Sequence, residues 1–147
     1  MLIEHLITSF ISSAGFGIIF NVPRKTLLQC GFVGMAGWCV YITLSLFMGI
    51  DVIPATLAAS FLVAVVSQLF ARMYKVPIIV YSVAGIIPLV PGGMAYDAMR
   101  KMVENNYTLA IELTIKAFML SGSIAIGLVF SEVVNQIITK YQARARY

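Results

Sequence analysis

Four stretches of this sequence carry no charged residue: Leu6 to Pro23, Thr26 to Ile50, Val52 to Ala71 and Val76 to Tyr96. A fifth apolar run, from about Ile111 to Ile138, holds Glu112 and Lys116 near its start and Glu132 near its end. A helix needs about 20 residues to cross a ~30 Å hydrocarbon core, and each run is near that length. None alternates as an outer-membrane barrel strand does, and a helix satisfies its own backbone where lipid offers no hydrogen bonds. Apolar residues make up 61% of the chain and charged residues 11%, against about 45–50% and about 25% in a soluble domain. A water-facing shell cannot be assembled from so few charges. The expected fold is all-α: a polytopic membrane protein of five transmembrane helices at about 3–22, 27–49, 53–71, 77–100 and 111–138, forming one domain over residues 1–147.

The net charge of +4 comes from short basic clusters between the runs. No basic stripe is interleaved with aromatics, so nucleic acid is set aside as a partner and the lipid bilayer is the expected surroundings. Arg24 and Lys25 fall in the first loop, Arg72 and Lys75 in the third, and Lys140, Arg144 and Arg146 in the tail, whereas the loop at Asp51 has no basic residue. Loops rich in Lys and Arg stay inside, which places the N-terminus outside and the C-terminus in the cytoplasm. Arg100 and Lys101, in the fourth loop, would then lie outside as an exception. Glu4, ahead of the first run, argues against a cleavable leader, so that run is expected to stay as a helix. Cys30 and Cys39 share one helix on opposite faces and read as small buried hydrophobes.

The fourth run carries the most information. Pro88, Pro91, Gly92 and Gly93 place four helix breakers within six positions. Pro88 frees the carbonyl of Ala84 and Pro91 that of Ile87, and the two glycines permit backbone angles that other residues adopt only at a cost. If the helix enters the membrane near Pro77, residues 88–93 lie about 16–24 Å deeper, near the bilayer midplane. Unwound backbone is tolerated there where it lines a cavity or meets another helix. A half-helix beginning near Gly93 would aim its positive end into that cavity, a recurring transporter device for holding a substrate carboxylate. The plainer reading is a proline kink closed by neighbouring side chains.

Several side chains join this candidate pathway. Tyr96, three residues past the break, can hydrogen-bond substrate or serve as an interfacial aromatic. Asp97 can bind a proton, or it is a surface carboxylate near a helix N-terminus. Gln68 is a polar residue within the third span that lines the path or bonds a neighbouring helix. Glu132 is the second candidate for proton coupling, against a default of snorkelling from its helix end. Asn21 and Arg24 end the first helix, where Arg24 either attracts an anionic substrate to a cytoplasmic mouth or only sets orientation. One histidine, no phosphate loop and no metal-ligand spacing exclude the usual enzyme constellations, and no cofactor is expected.

The stretch Gly85-Ile-Ile-Pro88-Leu-Val-Pro91-Gly92, followed by Ala95-Tyr96-Asp97-Ala98-Met99, resembles the signature of the threonine/serine exporter family, and more narrowly its small YjjB-type component. Gly15-Phe-Gly-Ile-Ile-Phe20-Asn21-Val-Pro23-Arg24 resembles the family's other recognisable stretch. The resemblance covers essentially the whole chain. It implies one half of a two-part secondary exporter of small metabolites, either threonine/serine-type amino acids or succinate-type dicarboxylates, working beside a larger YjjP-type membrane subunit. An odd number of spans fits this, because a second similar bundle started from the opposite side would be inverted. The alternatives are a non-transporting subunit that stabilises a membrane complex, and a small channel formed as a homo-oligomer.

Overall fold

The structure, a computed structural model, describes residues 2–144; Arg146 of the basic tail lies outside them. Its elements are α1 (Leu2–Ile19), α2 (Leu27–Ile42, continued by a wider π turn over Thr43–Phe47), α3 (Val52–Tyr74), α4 (Ile78–Ile86, continued by a 3-10 turn over Ile87–Leu89), α5 (Gly92–Val103) and α6 (Tyr107–Arg144). No strand occurs among the described residues. The segments Arg24–Phe47, Val52–Tyr74 and Tyr107–Lys140 are long and apolar enough to cross a membrane, and α4 with α5 forms one further span bent by 51°. The fifth is α1, whose 18 residues reach about 27 Å. The protein is therefore an all-helical polytopic membrane protein whose fourth span is broken.

Three helices end in the same way. At the end of α1, Asn21 donates to Ile18 and Val22 to Gly17, both at 3.0 Å, around a left-handed Asn21 (φ 55). At the end of α3, Val76 donates to Ala71 at 3.3 Å across left-handed Lys75 (φ 54). At the end of α5, Asn106 donates to Lys101 at 2.9 Å across left-handed Asn105 (φ 60). These Schellman closures satisfy the last carbonyls of each helix and turn the chain back within a few residues. Lysine is poorly suited to the left-handed region, where glycine meets no Cβ penalty. Lys75→Gly is accordingly expected to raise stability by roughly 1 kcal/mol, measurable as a higher melting temperature in detergent.

The core lies where α2, α3 and α4 meet, at Cys30, Val33, Ala59, Val63, Tyr81, Ala84 and Leu89, joined by Ile124 of α6. Close approach there depends on absent side chains. A Cβ on Gly85 would sit 2.4 Å from Val33 Cγ1, and one on Gly37 would sit 2.3 Å from Val63 Cγ2. The first helix covers α2 and α4, and α6 lies on α3 and α5. Helices α3 and α6 run parallel, for Ser123 Oγ donates to the Ile53 carbonyl at 2.8 Å near the start of α3, while Arg72 reaches Thr139 at 3.3 Å near its end. One face of the bundle therefore holds Asp51 and the α5–α6 turn, and the other holds Arg24, Lys25, Arg72, Lys75 and the C-terminal end of α6.

The register leaves α6 overhanging. Its 38 residues extend about 57 Å, whereas the 23 residues of α3 extend about 35 Å. With Ser123 beside Ile53, the turns of α6 before about Ser121 run past the start of α3, and α5 packs along them. Charges on this arm are balanced locally. Lys116 pairs with Glu112 at 2.8 Å, Lys101 with Glu104 at 2.5 Å, and Arg100 lies 3.5 Å from Glu104 and 3.8 Å from Asp97. The hydrogen bond from Lys101 holds the Glu104 carboxyl below the usual carboxylate range. Arg100 and Lys101, the exceptions to the loop-charge pattern, are thus each accompanied by a carboxylate.

Candidate functional site

The break in the fourth span begins at mid-height. Gly85 faces Val63, the twelfth of the 23 residues of α3, and Leu89 lies one turn further along, near Gly37 and so near Ala59. Pro88 supplies no amide to the carbonyl of Ala84, as the sequence requires. The carbonyl of Ile87, expected to be freed by Pro91, instead accepts from the Val90 N–H at 3.2 Å. Val90 (φ −66, ψ 129) and Pro91 (φ −78, ψ 46) then redirect the chain. The Gly92 N–H donates back to Val90 at 2.8 Å, and Ala95 donates to Pro91 at 3.1 Å to open α5.

The two glycines play a different part from the one expected. Neither has a positive φ; among the described glycines only Gly49 does. Both sit in the first turn of α5, and a Cβ built on either would meet nothing within 4 Å. What they provide is bare backbone beside open space. No side chain caps α5; the Gly92 N–H is taken by the Val90 carbonyl, and the amides that follow it in the first turn carry the partial positive charge of a helix N-terminus without a side-chain acceptor. Pro88 and Pro91 are half-buried, and Gly92 and Gly93 are exposed. Tyr96 is 68% exposed and points away from the core, and Asp97 faces Arg100 along α5.

A second polar locus lies between α3 and α6. Gln68 Nε2 donates to Ser131 Oγ at 3.3 Å and to Glu132 Oε2 at 3.4 Å. Two candidates from distant parts of the sequence thus meet. Glu132 is not at a helix end in this setting. Its partner Gln68 stands five residues beyond Val63, about 7.5 Å from the middle of α3, and the Glu132 side chain is exposed. One turn further on, the Arg72 guanidinium donates to Asn135 Oδ1 and, at 3.3 Å, to Thr139 Oγ1. Gln68, Arg72, Ser131 and Asn135 line a cleft of about 240 Å³ here.

The remaining candidates are placed apart. Asn21 caps α1 in the left-handed conformation, which gives it a backbone task of its own. Arg24 is exposed in the 3-10 turn Arg24–Thr26 that leads into α2, on the face opposite Asp51. Sequence reasoning passed over Arg72, whose charge was read only for orientation; its spacing of four from Gln68 was the available signal. It also passed over the hydroxyls of Ser13, Ser67 and Tyr81, which are buried with no hydrogen-bond partner among the described residues.

A family profile described as Threonine/Serine exporter, ThrE matches residues 5–134, which takes in the broken span and the α3–α6 cleft apart from Asn135 and Ile138. No solved structure matches the chain.

Proposed function

We propose, because the chain belongs to the threonine/serine exporter family, that it is the membrane component of a two-part secondary exporter whose small carboxylate-bearing substrate passes the broken fourth span. The observation that carries this is the break at Val90 and Pro91, reached through a 3-10 turn over Ile87–Leu89 that starts near mid-height of the bundle, followed by the unobstructed first turn of α5, which no side chain caps. Amides at a helix N-terminus favour a carboxylate, and irregular backbone at this depth is stable only beside protein or a polar cavity. Pro88, Pro91, Gly92 and Gly93 shape that point. Tyr96 stands one turn beyond it, and Gln68 and Glu132 continue the path toward the basic face. Glu132 and Asp97 are the carboxylates available for proton coupling, and Asn21 and Arg24 flank the mouth on the basic face. That face is cytoplasmic and the N-terminus outside, since it gathers Arg24, Lys25, Arg72, Lys75 and Lys140.

The exposed Glu132 favours a second subunit. A carboxylate facing acyl chains at this depth costs several kcal/mol, so such groups are found facing protein or water. A larger YjjP-type subunit covering α6 would provide those surroundings. The substrates are threonine/serine-type amino acids or succinate-type dicarboxylates. The test is efflux from proteoliposomes loaded with labelled threonine, serine or succinate, prepared with the chain alone and with its co-purified partner. Efflux requiring both is expected. Full efflux from the chain alone would remove the two-part assembly, and none of the three solutes moving under either condition would remove the exporter reading.

A further inference from the structure

We infer that the cleft between α3 and α6 is a binding site in its own right, in which Arg72 holds the carboxylate of a small zwitterionic solute and Glu132, hydrogen-bonded to the lining residue Gln68, opposes a second negative charge. The inference rests on the exporter reading but concerns residues outside the broken span.

Among the described residues Arg72, like Arg24, Lys25 and Lys75, has no ion pair to a carboxylate, but of these four it is the one whose side chain donates hydrogen bonds to another helix. Arg100, Lys101 and Lys116 all pair with carboxylates. Arg72 donates only to the neutral oxygens of Asn135 and Thr139, and no ion pair joins it to a carboxylate among the described residues. Those two bonds draw the guanidinium across to α6 instead of outward to lipid headgroups. They leave donors of its five-N–H fork free for a planar, bidentate acceptor, which a carboxylate matches. Arg72 stands nine residues beyond Val63, about 13.5 Å along α3, which is the edge of a ~30 Å core. A guanidinium there is partly desolvated yet reachable from the basic face.

The cleft limits what can enter. Its volume of about 240 Å³ falls below the ~300–1,000 Å³ of sites for drug-sized molecules, so the occupant has few heavy atoms. Val65, Leu69, Val134 and Ile138 supply apolar walls. Glu132 accepts from Gln68 at 3.4 Å and from Gln136 at 3.3 Å, neither of which neutralises it. An occupant anchored on Arg72 therefore places its other end near a negative charge. An ammonium group is welcome there and a second carboxylate is repelled.

The probes are L-threonine and succinate, added to the full chain with its co-purified partner in phosphatidylcholine nanodiscs. Modification of Arg72 by phenylglyoxal, read by mass spectrometry, should slow with threonine, while modification of exposed Arg24 should not. Succinate should protect about tenfold less well. Arg72→Gln should weaken threonine binding roughly tenfold or more, with Arg72→Lys recovering part of it, and Glu132→Gln should bring succinate up toward threonine. Arg72 labelling indifferent to threonine would overturn the site even if Arg72→Gln fails to accumulate. So would protection conferred by phosphatidylglycerol without solute, because the occupant would then be a headgroup. If Arg72→Gln binds and exports threonine as the wild type does, the cleft is dismissed and export stands. If the wild type neither binds nor exports any of these solutes, both fall together.

Discussion

Gly127→Val is expected to destabilise the protein by about 3 kcal/mol and to separate α6 from α3. A Cβ at position 127 would lie 2.0 Å from Ser60 Oγ, 2.8 Å from the Leu57 carbonyl oxygen and 3.1 Å from the Phe61 nitrogen. The first neighbour can rotate away. The other two are backbone, so the helices themselves must part. Parting them strips the Ser123–Ile53 hydrogen bond at one end and the Gln68 and Arg72 bonds at the other. Packing of this kind matters more in lipid than in water, because acyl chains give helices no hydrophobic reason to associate. Gly122→Ala is the matched control: the same helix has nothing within 4 Å of a Cβ at Gly122, and the substitution should be neutral or slightly stabilising. Thermal unfolding of both variants in one detergent compares them directly. Equal melting temperatures would show that the seam is not close-packed.

Gly93→Leu is expected to do the opposite, leaving the fold intact and abolishing at least nine-tenths of export. Position 93 has no neighbour within 4 Å and no positive φ, and leucine is a better helix former than glycine, so the melting temperature should hold or rise. If the first-turn amides of α5 receive the substrate carboxylate, an isobutyl group over them blocks its approach. A purely structural proline kink would be indifferent to the change. The decisive comparison is the initial efflux rate at matched protein level: export at the wild-type rate from Gly93→Leu would show that substrate does not touch the start of α5.

The broken span was legible because its cause is local. Pro88 and Pro91 remove amides that the interior of a helix needs, and charge-free runs announce the crossings. The role of Gly92 and Gly93 was misread because composition cannot distinguish a glycine needed for its φ from one needed for its missing side chain. The end of the first helix at Asn21 was legible, whereas the closures at Lys75 and Asn105 were hidden because a lysine and an asparagine, not glycines, take the left-handed position. The overhang of α6 was obscured because Glu112 and Lys116, four residues apart and paired, interrupt the apolar run without interrupting the helix. Meeting of Gln68 with Glu132, and of Arg72 with Asn135, depends on the register of two helices some sixty residues apart in sequence, which no local pattern encodes.

The length of α6 has a mechanical corollary. It is a rod resting on α3 over only part of its extent, with Gly127 at the closest contact, α5 strapped to one end and the partners of Arg72 at the other. A rigid rod tilted about a fulcrum moves its ends in opposite directions. If α6 tilts about Gly127, outward movement of its α5 end goes with inward movement of its Asn135 end, so room gained on one side of the membrane would be surrendered on the other.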